Sequence, residues 1–202
     1  MFKSSRKKLI AIGCSFTTGG ANAKAAKRRS SWPTNLAQKL DMDCVNLGKA
    51  GQGNEYISAK LIDTILTEKK EDIGLVVIMW SGWQRLDFQD MEGEWKGVDR
   101  TGDVWDSMLK YNNPYNSIMK SLRHFLIAQM LLKDIPYLMT QSIDTIIHSF
   151  GKGWIHTFIN SKIFDEINED KFIGWPIMQE IGGYNVENML DKFDPQFIAT
   201  ET

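Results

Sequence analysis

The chain has 202 residues, of which 43% are hydrophobic and 24% charged, a composition that suits one domain with a sizeable core. Its formal net charge of −1 argues against nucleic acid or an anionic membrane surface as a partner. No stretch approaches the ~20 apolar residues of a membrane span, and the apolar run before Cys14 is shorter than a signal peptide requires. We therefore expect a soluble or cytoplasmic protein without membrane insertion.

Short apolar runs alternate with helical segments along the chain, which is typical of a parallel α/β sheet. The pattern predicts a single domain over residues 1–202 with a three-layer α/β/α, doubly wound, flavodoxin-like sheet. The third strand is the most hydrophobic and is expected to be central. In chain order the predicted strands are Lys8–Cys14, Cys44–Leu47, Leu75–Trp80, Tyr137–Ser142 and a short fifth strand at Phe172–Trp175.

The predicted helices lie between these strands. They run from Ser31 to Leu40, from Gly53-Asn54 to about Lys69, from Asn116 to Lys133, and after the turn that begins at Gly182. Ser31 is expected to cap the first of them. The second should bury one apolar face, made of Ile57, Leu61 and Ile65 together with Ile62 and Leu66.

Three further features of the sequence have weaker patterns. Residues 85–113 lack clean periodicity and are interpreted as an irregular excursion at the sheet's edge, while residues 144–170 give no clear assignment. Cys14 and Cys44 both lie in apolar runs, so we expect two reduced, buried thiols. The histidines and cysteines lack metal-ligand spacing, and no metal is expected.

Ligands of doubly wound sheets bind beyond the carboxyl ends of the strands, so the segments that follow the strands are the candidates for a site. Gly13-Cys14-Ser15 follows the first strand. After the second strand comes Asn46-Leu47-Gly48-Lys49-Ala50-Gly51-Gln52-Gly53-Asn54. Together these segments resemble blocks I and II of the SGNH (GDSL-like) hydrolases, a superfamily of lipases, esterases and acylhydrolases. The resemblance covers roughly residues 7–85.

The resemblance implies a serine hydrolase that needs no cofactor. Ser15 stands at the nucleophile position, and the backbone N–H groups of Ser15 and Gly51 stand where the family binds the oxyanion. The family's third donor, an Asn after the third strand, is replaced here by Gly82. Ser81, Gln84 or Asn54 then remain as substitutes, with Asn54 the first choice.

Arg85 is a candidate for binding an acidic substrate group, against the alternative of a structural ion pair. The family's general base lies in a C-terminal Asp-x-x-His block that has no counterpart in this sequence, so the domain is expected to be truncated just before it. His148 and His156 follow the fourth strand and are the other candidates for the base, with Asp144 available to orient one of them.

The expected substrate is a small-molecule or glycan ester, such as an O-acyl group on carbohydrate or lipid. One alternative is a non-catalytic carbohydrate-binding module on the same fold, with Trp80, Trp83, Trp95 and Trp105 as sugar platforms. Another is a flavodoxin-like phosphate binder that uses the hydroxyl-rich segment from Ser15 to Gly20.

Overall fold

The computed structural model describes residues 6–19, 31–98, 113–143 and 153–193. The strands are β1 (Lys8–Gly13), β2 (Asp43–Asn46), β3 (Ile73–Trp80), β4 (Asp87–Gln89), β5 (Trp95–Gly97), β6 (Tyr137–Gln141) and β7 (Phe172–Ile173). The helices are α1 (Ser15–Thr18), α2 (Trp32–Lys39), α3 (Asn54–Thr67), α4 (Pro114–Leu131), α5 (Gly153–Ile159), α6 (Lys162–Asp165) and α7 (Val186–Phe193).

Five of the strands form one parallel sheet in the order β2-β1-β3-β6-β7, while β4 and β5 pair antiparallel as a separate hairpin. Without the hairpin this is the flavodoxin-like order, and the strand order reverses between β1 and β3, which makes this the topological switch point. The doubly wound parallel sheet predicted from the sequence is therefore confirmed. Its central strand is β3, with two strands on either side, as its hydrophobicity predicted.

Alternate side chains of β1 face two different apolar layers. Leu9 and Ala11 pack with Ala37 of α2 on one face of the sheet. Ile10 and Ile12 belong to the larger core on the other face, which includes residues of α3 and α4. The period of two along a strand places successive side chains on opposite faces, so one buried strand supplies both layers. The end of β1 is thereby fixed in position at the sheet's carboxyl edge.

The chain between β3 and α4 was predicted as irregular, and its described part contains the hairpin. Phe88 of β4 lies opposite Lys96 of β5, and the turn between the strands includes Gly93 with a φ of 81°. Residues 99–112 of the predicted excursion lie outside the described residues. In the unassigned stretch 144–170, the described part contains the short helices α5 and α6.

Two predictions of burial were wrong. Cys14 is buried, but Cys44 is exposed, because β2 is an edge strand with mostly exposed side chains. On α3, Ile57 and Leu61 are buried, whereas Ile62 is 38% and Leu66 is 79% exposed. The apolar stripe that packs on the sheet is thus narrower than the sequence pattern indicated.

Ser31 does occupy the N-cap position of α2, but its hydroxyl lies 3.1 Å from the hydroxyl of Thr34 instead of accepting a backbone N–H.

Across the described ranges, no helix is both long and apolar enough to cross a membrane.

The difference between the two sides of α3 is testable by alanine substitution. We expect Ile57→Ala to lower the free energy of unfolding by about 2–5 kcal/mol, because it leaves a cavity in the core. Leu66→Ala, its exposed control on the same helix, should change it by less than about 0.5 kcal/mol. Urea unfolding followed by tryptophan fluorescence measures both, and equal losses would contradict the assigned orientation of α3.

Candidate active site

Ser15 lies directly beyond the carboxyl end of β1 and begins the short helix α1. Cys14 is extended, with φ −94° and ψ −151°, and its carbonyl accepts hydrogen bonds from the N–H groups of Thr17 (3.0 Å) and Thr18 (3.2 Å). Ser15 is half-buried. As the first residue of a helix, it has a backbone N–H without an intrahelical acceptor. Both its hydroxyl and its N–H are therefore placed at the edge where ligands of such sheets bind.

The loop after β2 is hydrogen-bonded to this same turn. The Lys49 N–H donates to the carbonyl of Gly13 at 3.0 Å, and the Asn46 amide donates to the carbonyl of Thr17 at 2.9 Å. The other end of the Asn46 side chain accepts from the Gly48 N–H at 3.0 Å. The two segments that carry the sequence resemblance are thus joined by direct contacts.

Glycines allow this close approach. A Cβ on Gly48 would lie 2.8 Å from Thr17 Cβ and 2.9 Å from the Thr18 nitrogen. A Cβ on Gly13 would lie 2.1 Å from Thr17 Oγ1. Thr17 is fully buried between them. The junction of the two loops therefore has no room for a side chain at either glycine.

Gly51 lies further along the same loop and is exposed. Its φ of 79° is in the left-handed region, which glycine adopts without strain. Within the described residues, neither its N–H nor that of Ser15 donates a hydrogen bond. The two N–H groups predicted to bind an oxyanion therefore have no hydrogen-bond acceptor within the described part of the chain.

Asn54 has a different environment from the one expected of an oxyanion donor. It is 5% exposed, and its Oδ1 accepts the N–H of Ser81 at 2.8 Å. Its Nδ2 donates to the hydroxyl of Ser121 at 3.1 Å. The carboxamide thus connects the start of α3 to the end of β3 and to α4. These bonds argue against the predicted role of third oxyanion donor, because the amide is already bound inside the protein.

The other residues after β3 are also largely enclosed. Ser81 is fully buried, and its carbonyl accepts from the Gln141 side chain at 2.8 Å, so it is not placed to contact a substrate. Gln84 is half-buried and lies against Gly82. The guanidinium of Arg85 donates to the carbonyl of Gln52 at 3.4 Å and makes no salt bridge within the described ranges.

The tryptophans offered as sugar platforms are mostly part of the core. Trp80 is fully buried with its ring centroid 5.0 Å from that of Phe125, and Trp83 is 3% exposed beside Phe158. Neither presents a face to solvent, so the platform role predicted for them is wrong. Trp95 is half-buried against Tyr56, and Trp105 lies outside the described residues.

A cleft beside Asn54 contains a charged cluster formed by α3 and α4. Glu55 pairs with Lys120 at 2.6 Å and with His124 at 3.6 Å, and Arg85 also lines this cleft. The neighbouring side chains of His124 and Lys120 outweigh burial and lower the pKa of Glu55 from 4.5 to about 2. Glu55 therefore stays ionised at neutral pH and links the two helices electrostatically.

The histidines are distributed as follows. His124 is engaged by Glu55 and stacks on Trp80, with ring centroids 6.4 Å apart. His156 is exposed on α5, a helix that packs against α4 and α6. His148 and Asp144, the other predicted residues of the base, lie outside the described residues.

Sequence reasoning missed two groups at this edge. The thiol of Cys14 lies 3.5 Å from the hydroxyl of Ser142, and both residues are fully buried. Asp87 of β4 accepts hydrogen bonds from the N–H groups of Gly53 and Tyr56, so it caps α3 from outside the helix. Local sequence signals identify caps only when they adjoin the helix, and Asp87 follows Gly53 by 34 positions.

Comparisons with known proteins found similarity only among solved structures, since no protein-family model and no curated protein sequence matches the chain. One similar structure is a protein from Desulfitobacterium hafniense DCB-2 assigned to the lipolytic G-D-S-L family, with 19% identity and a TM-score of 0.43. The match covers 79% of this chain and 68% of that one. Another is TesA, with 16% identity, a TM-score of 0.44, and coverage of 94% of this chain and 99% of that one.

The junction between the two loops predicts a steric effect. Gly48→Ala should lower the free energy of unfolding by about 1–3 kcal/mol, because the new methyl group forces the loop away from Thr17. The control Ala50→Ser, at an exposed position of the same loop, should stay within about 0.5 kcal/mol. Urea unfolding measures both, and unchanged stability of Gly48→Ala would show that the loops are not in close contact.

The Glu55 cluster predicts a pH-dependent contribution to stability. A lowered carboxyl pKa stabilises the folded state above the unfolded-state value near 4.5, and this contribution is lost as pH falls towards about 2. Because the Glu55 side chain is 38% exposed, solvent screening limits the effect, and we expect Glu55→Gln to cost about 1 kcal/mol at pH 7. Urea unfolding of both proteins between pH 7 and pH 2 measures it, and a difference that does not diminish in acid would contradict the assignment.

Proposed function

We propose that this chain is an SGNH-type serine hydrolase that cleaves an ester through an acyl-enzyme on Ser15. The observation that carries the proposal is the junction at the carboxyl edge of the sheet. Ser15 follows β1 there, and the loop with Gly51 is hydrogen-bonded to the same turn through Lys49 and Asn46. Neighbouring segments thus carry a hydroxyl and two backbone N–H groups, which supports the proposal because acyl transfer uses a nucleophile and oxyanion donors of this kind.

In the proposed reaction, the Ser15 hydroxyl attacks the ester carbonyl while a general base accepts its proton. The N–H groups of Ser15 and Gly51 stabilise the negative charge that develops on the carbonyl oxygen. Collapse of the tetrahedral intermediate expels the alcohol, which takes up the proton from the base, and leaves the acyl group on Ser15. Water then attacks the acyl-enzyme by the same route, releasing the carboxylic acid and regenerating the serine.

We infer that two backbone N–H groups bind the oxyanion, without a third donor from the Asn54 side chain. The Asn54 amide is bound by Ser81 and Ser121, so its use would break buried hydrogen bonds. Backbone N–H groups at the start of a helix and in a glycine-containing loop need no side-chain reorganisation to bind an oxyanion.

We propose His148 or His156, which follow β6 in the sequence, as the general base. Among the histidines of the described ranges, His124 is held by Glu55, and the exposed His156 lies on α5. For the substrate, we propose an O-acyl ester on carbohydrate or lipid, in line with the family that the motifs resemble.

Ser15→Ala is the test of this function. Turnover of p-nitrophenyl acetate should fall by about 10³-fold or more, because the variant has no nucleophile to acylate. A fluorophosphonate probe should add one covalent label to the unmodified protein and none to Ser15→Ala, as measured by intact mass. The control Thr67→Ala, which removes an exposed hydroxyl at the end of α3, should keep both activities.

Equal hydrolysis by the unmodified protein and Ser15→Ala would overturn the proposal. Retained binding of an acetylated oligosaccharide in that case would support the alternative of a non-catalytic carbohydrate-binding module. The burial of Trp80 and Trp83 argues against that alternative in the form predicted from the sequence.

A further inference from the structure

We propose that the hairpin β4–β5 holds Gly51 in the geometry of an oxyanion donor, with Asp87 as the principal positioning residue. The inference rests on the proposed function, because the orientation of the Gly51 N–H affects a rate only if Ser15 forms an oxyanion beside it. It goes beyond that function because it assigns a role in catalysis to the hairpin. The hairpin belongs to neither of the two motif segments and forms a separate two-stranded sheet.

The first contact is made by the carboxylate of Asp87. Its Oδ2 accepts the N–H of Gly53 at 2.8 Å and that of Tyr56 at 2.9 Å. These are otherwise unpaired donors of the first turn of α3, and a carboxylate at a helix N-terminus also interacts favourably with the helix dipole. The start of α3 is therefore fixed by the hairpin, two residues beyond Gly51.

Asp87 is not an ordinary surface cap. Its second oxygen, Oδ1, is buried and has no hydrogen-bond partner in the described ranges. Burial outweighs its hydrogen bonds with the backbone and raises the pKa of this carboxyl. A Cβ on Gly53 would lie 3.0 Å from Oδ1 and 2.9 Å from the carbonyl of Arg85, so α3 starts directly against this segment. The close packing leaves the loop little freedom to shift.

The second contact is between two glycines. A Cβ on Gly97 would lie 2.6 Å from the carbonyl oxygen of Gly51, so the backbone of β5 lies directly against the carbonyl of the residue whose N–H is the proposed donor. The third contact is on the other side of Gly51, where Lys49 Nζ donates to the carbonyl of Trp95 at 2.9 Å. The Trp95 ring packs edge-on against Tyr56 at a centroid distance of 5.7 Å.

The hairpin thus contacts the chain before, at and after Gly51. Within the described residues, Gly51 itself forms no hydrogen bond through its N–H, and its left-handed φ is available to few other residues. Misplacing a catalytic group by about 1 Å lowers rates by about 10²-fold. Since no hydrogen bond within the described residues fixes the Gly51 N–H, the contacts with the hairpin are what hold this part of the loop in position.

Hydrolysis of p-nitrophenyl acetate by a set of hairpin variants tests the inference, with Ser15→Ala measured alongside. In Gly97→Ala the new methyl group displaces the Gly51 carbonyl and so shifts the residue that carries the donor, and in Asp87→Ala the start of α3 loses its cap. We expect each to lower kcat by about 10- to 100-fold with KM within about twofold. Asp87→Asn keeps an acceptor oxygen and should recover most of the lost rate.

Lys96→Ala is the control, since Lys96 pairs with Asp90 inside the hairpin and precedes Gly97. It should retain the full kcat. Amide hydrogen exchange provides a readout besides activity: residues 49–56 should exchange faster in Gly97→Ala and Asp87→Ala than in Lys96→Ala. If Asp87→Ala does not fold, Gly97→Ala carries the test.

The outcomes separate the two proposals. If the unmodified protein hydrolyses the ester no faster than Ser15→Ala, both the function and the role of the hairpin are overturned. If hydrolysis depends on Ser15 but Gly97→Ala and Asp87→Ala keep the full kcat, only the role of the hairpin is overturned. An equal loss of kcat in Lys96→Ala would also overturn it, since that would be a general effect of hairpin instability.

Discussion

The backbone contact between the turn after β1 and the loop after β2 is the constraint on which the candidate site depends. It requires glycine at positions 13 and 48, where any side chain would collide with Thr17 or with the backbone of β3 or α1. Hydrogen bonds from Lys49 and Asn46 then hold the two segments together. Since close-packed interiors adjust little to added volume, this contact determines where Ser15 and Gly51 stand.

Two further contacts fix the end of the loop that leads into α3. The Asn54 carboxamide joins the start of α3 to Ser81 and Ser121. The hairpin binds the same start of α3 through Asp87. The loop between β2 and α3 is therefore held at both ends, while its middle, at Gly51, remains exposed. Such an arrangement combines a rigid frame with an accessible backbone donor.

The aromatic residues are largely devoted to packing. The Phe125 ring contacts the rings of both Trp80 and Phe172, at centroid distances of 5.0 and 5.1 Å respectively. Trp83 contacts Phe158 on the same side of the sheet. Large buried rings contribute much of the apolar area of a core, and here helices α4 and α5 supply two of them, Phe125 and Phe158. Trp80 and Trp83 therefore belong to the interior of this protein and not to a binding surface.

The sequence by itself determined the sheet, because strand periodicity and apolar runs are local properties of the chain. The strands from Lys8, Leu75 and Tyr137 followed from such runs, and so did the placement of Ser15 beyond a buried strand. The exposure of Cys44 and the burial of Trp83 were decided only by the tertiary structure, since they depend on which element covers a given face. The same holds for the bonds of Asn54 and Asp87, whose partners are 27 to 67 positions away in the chain and have no local signature.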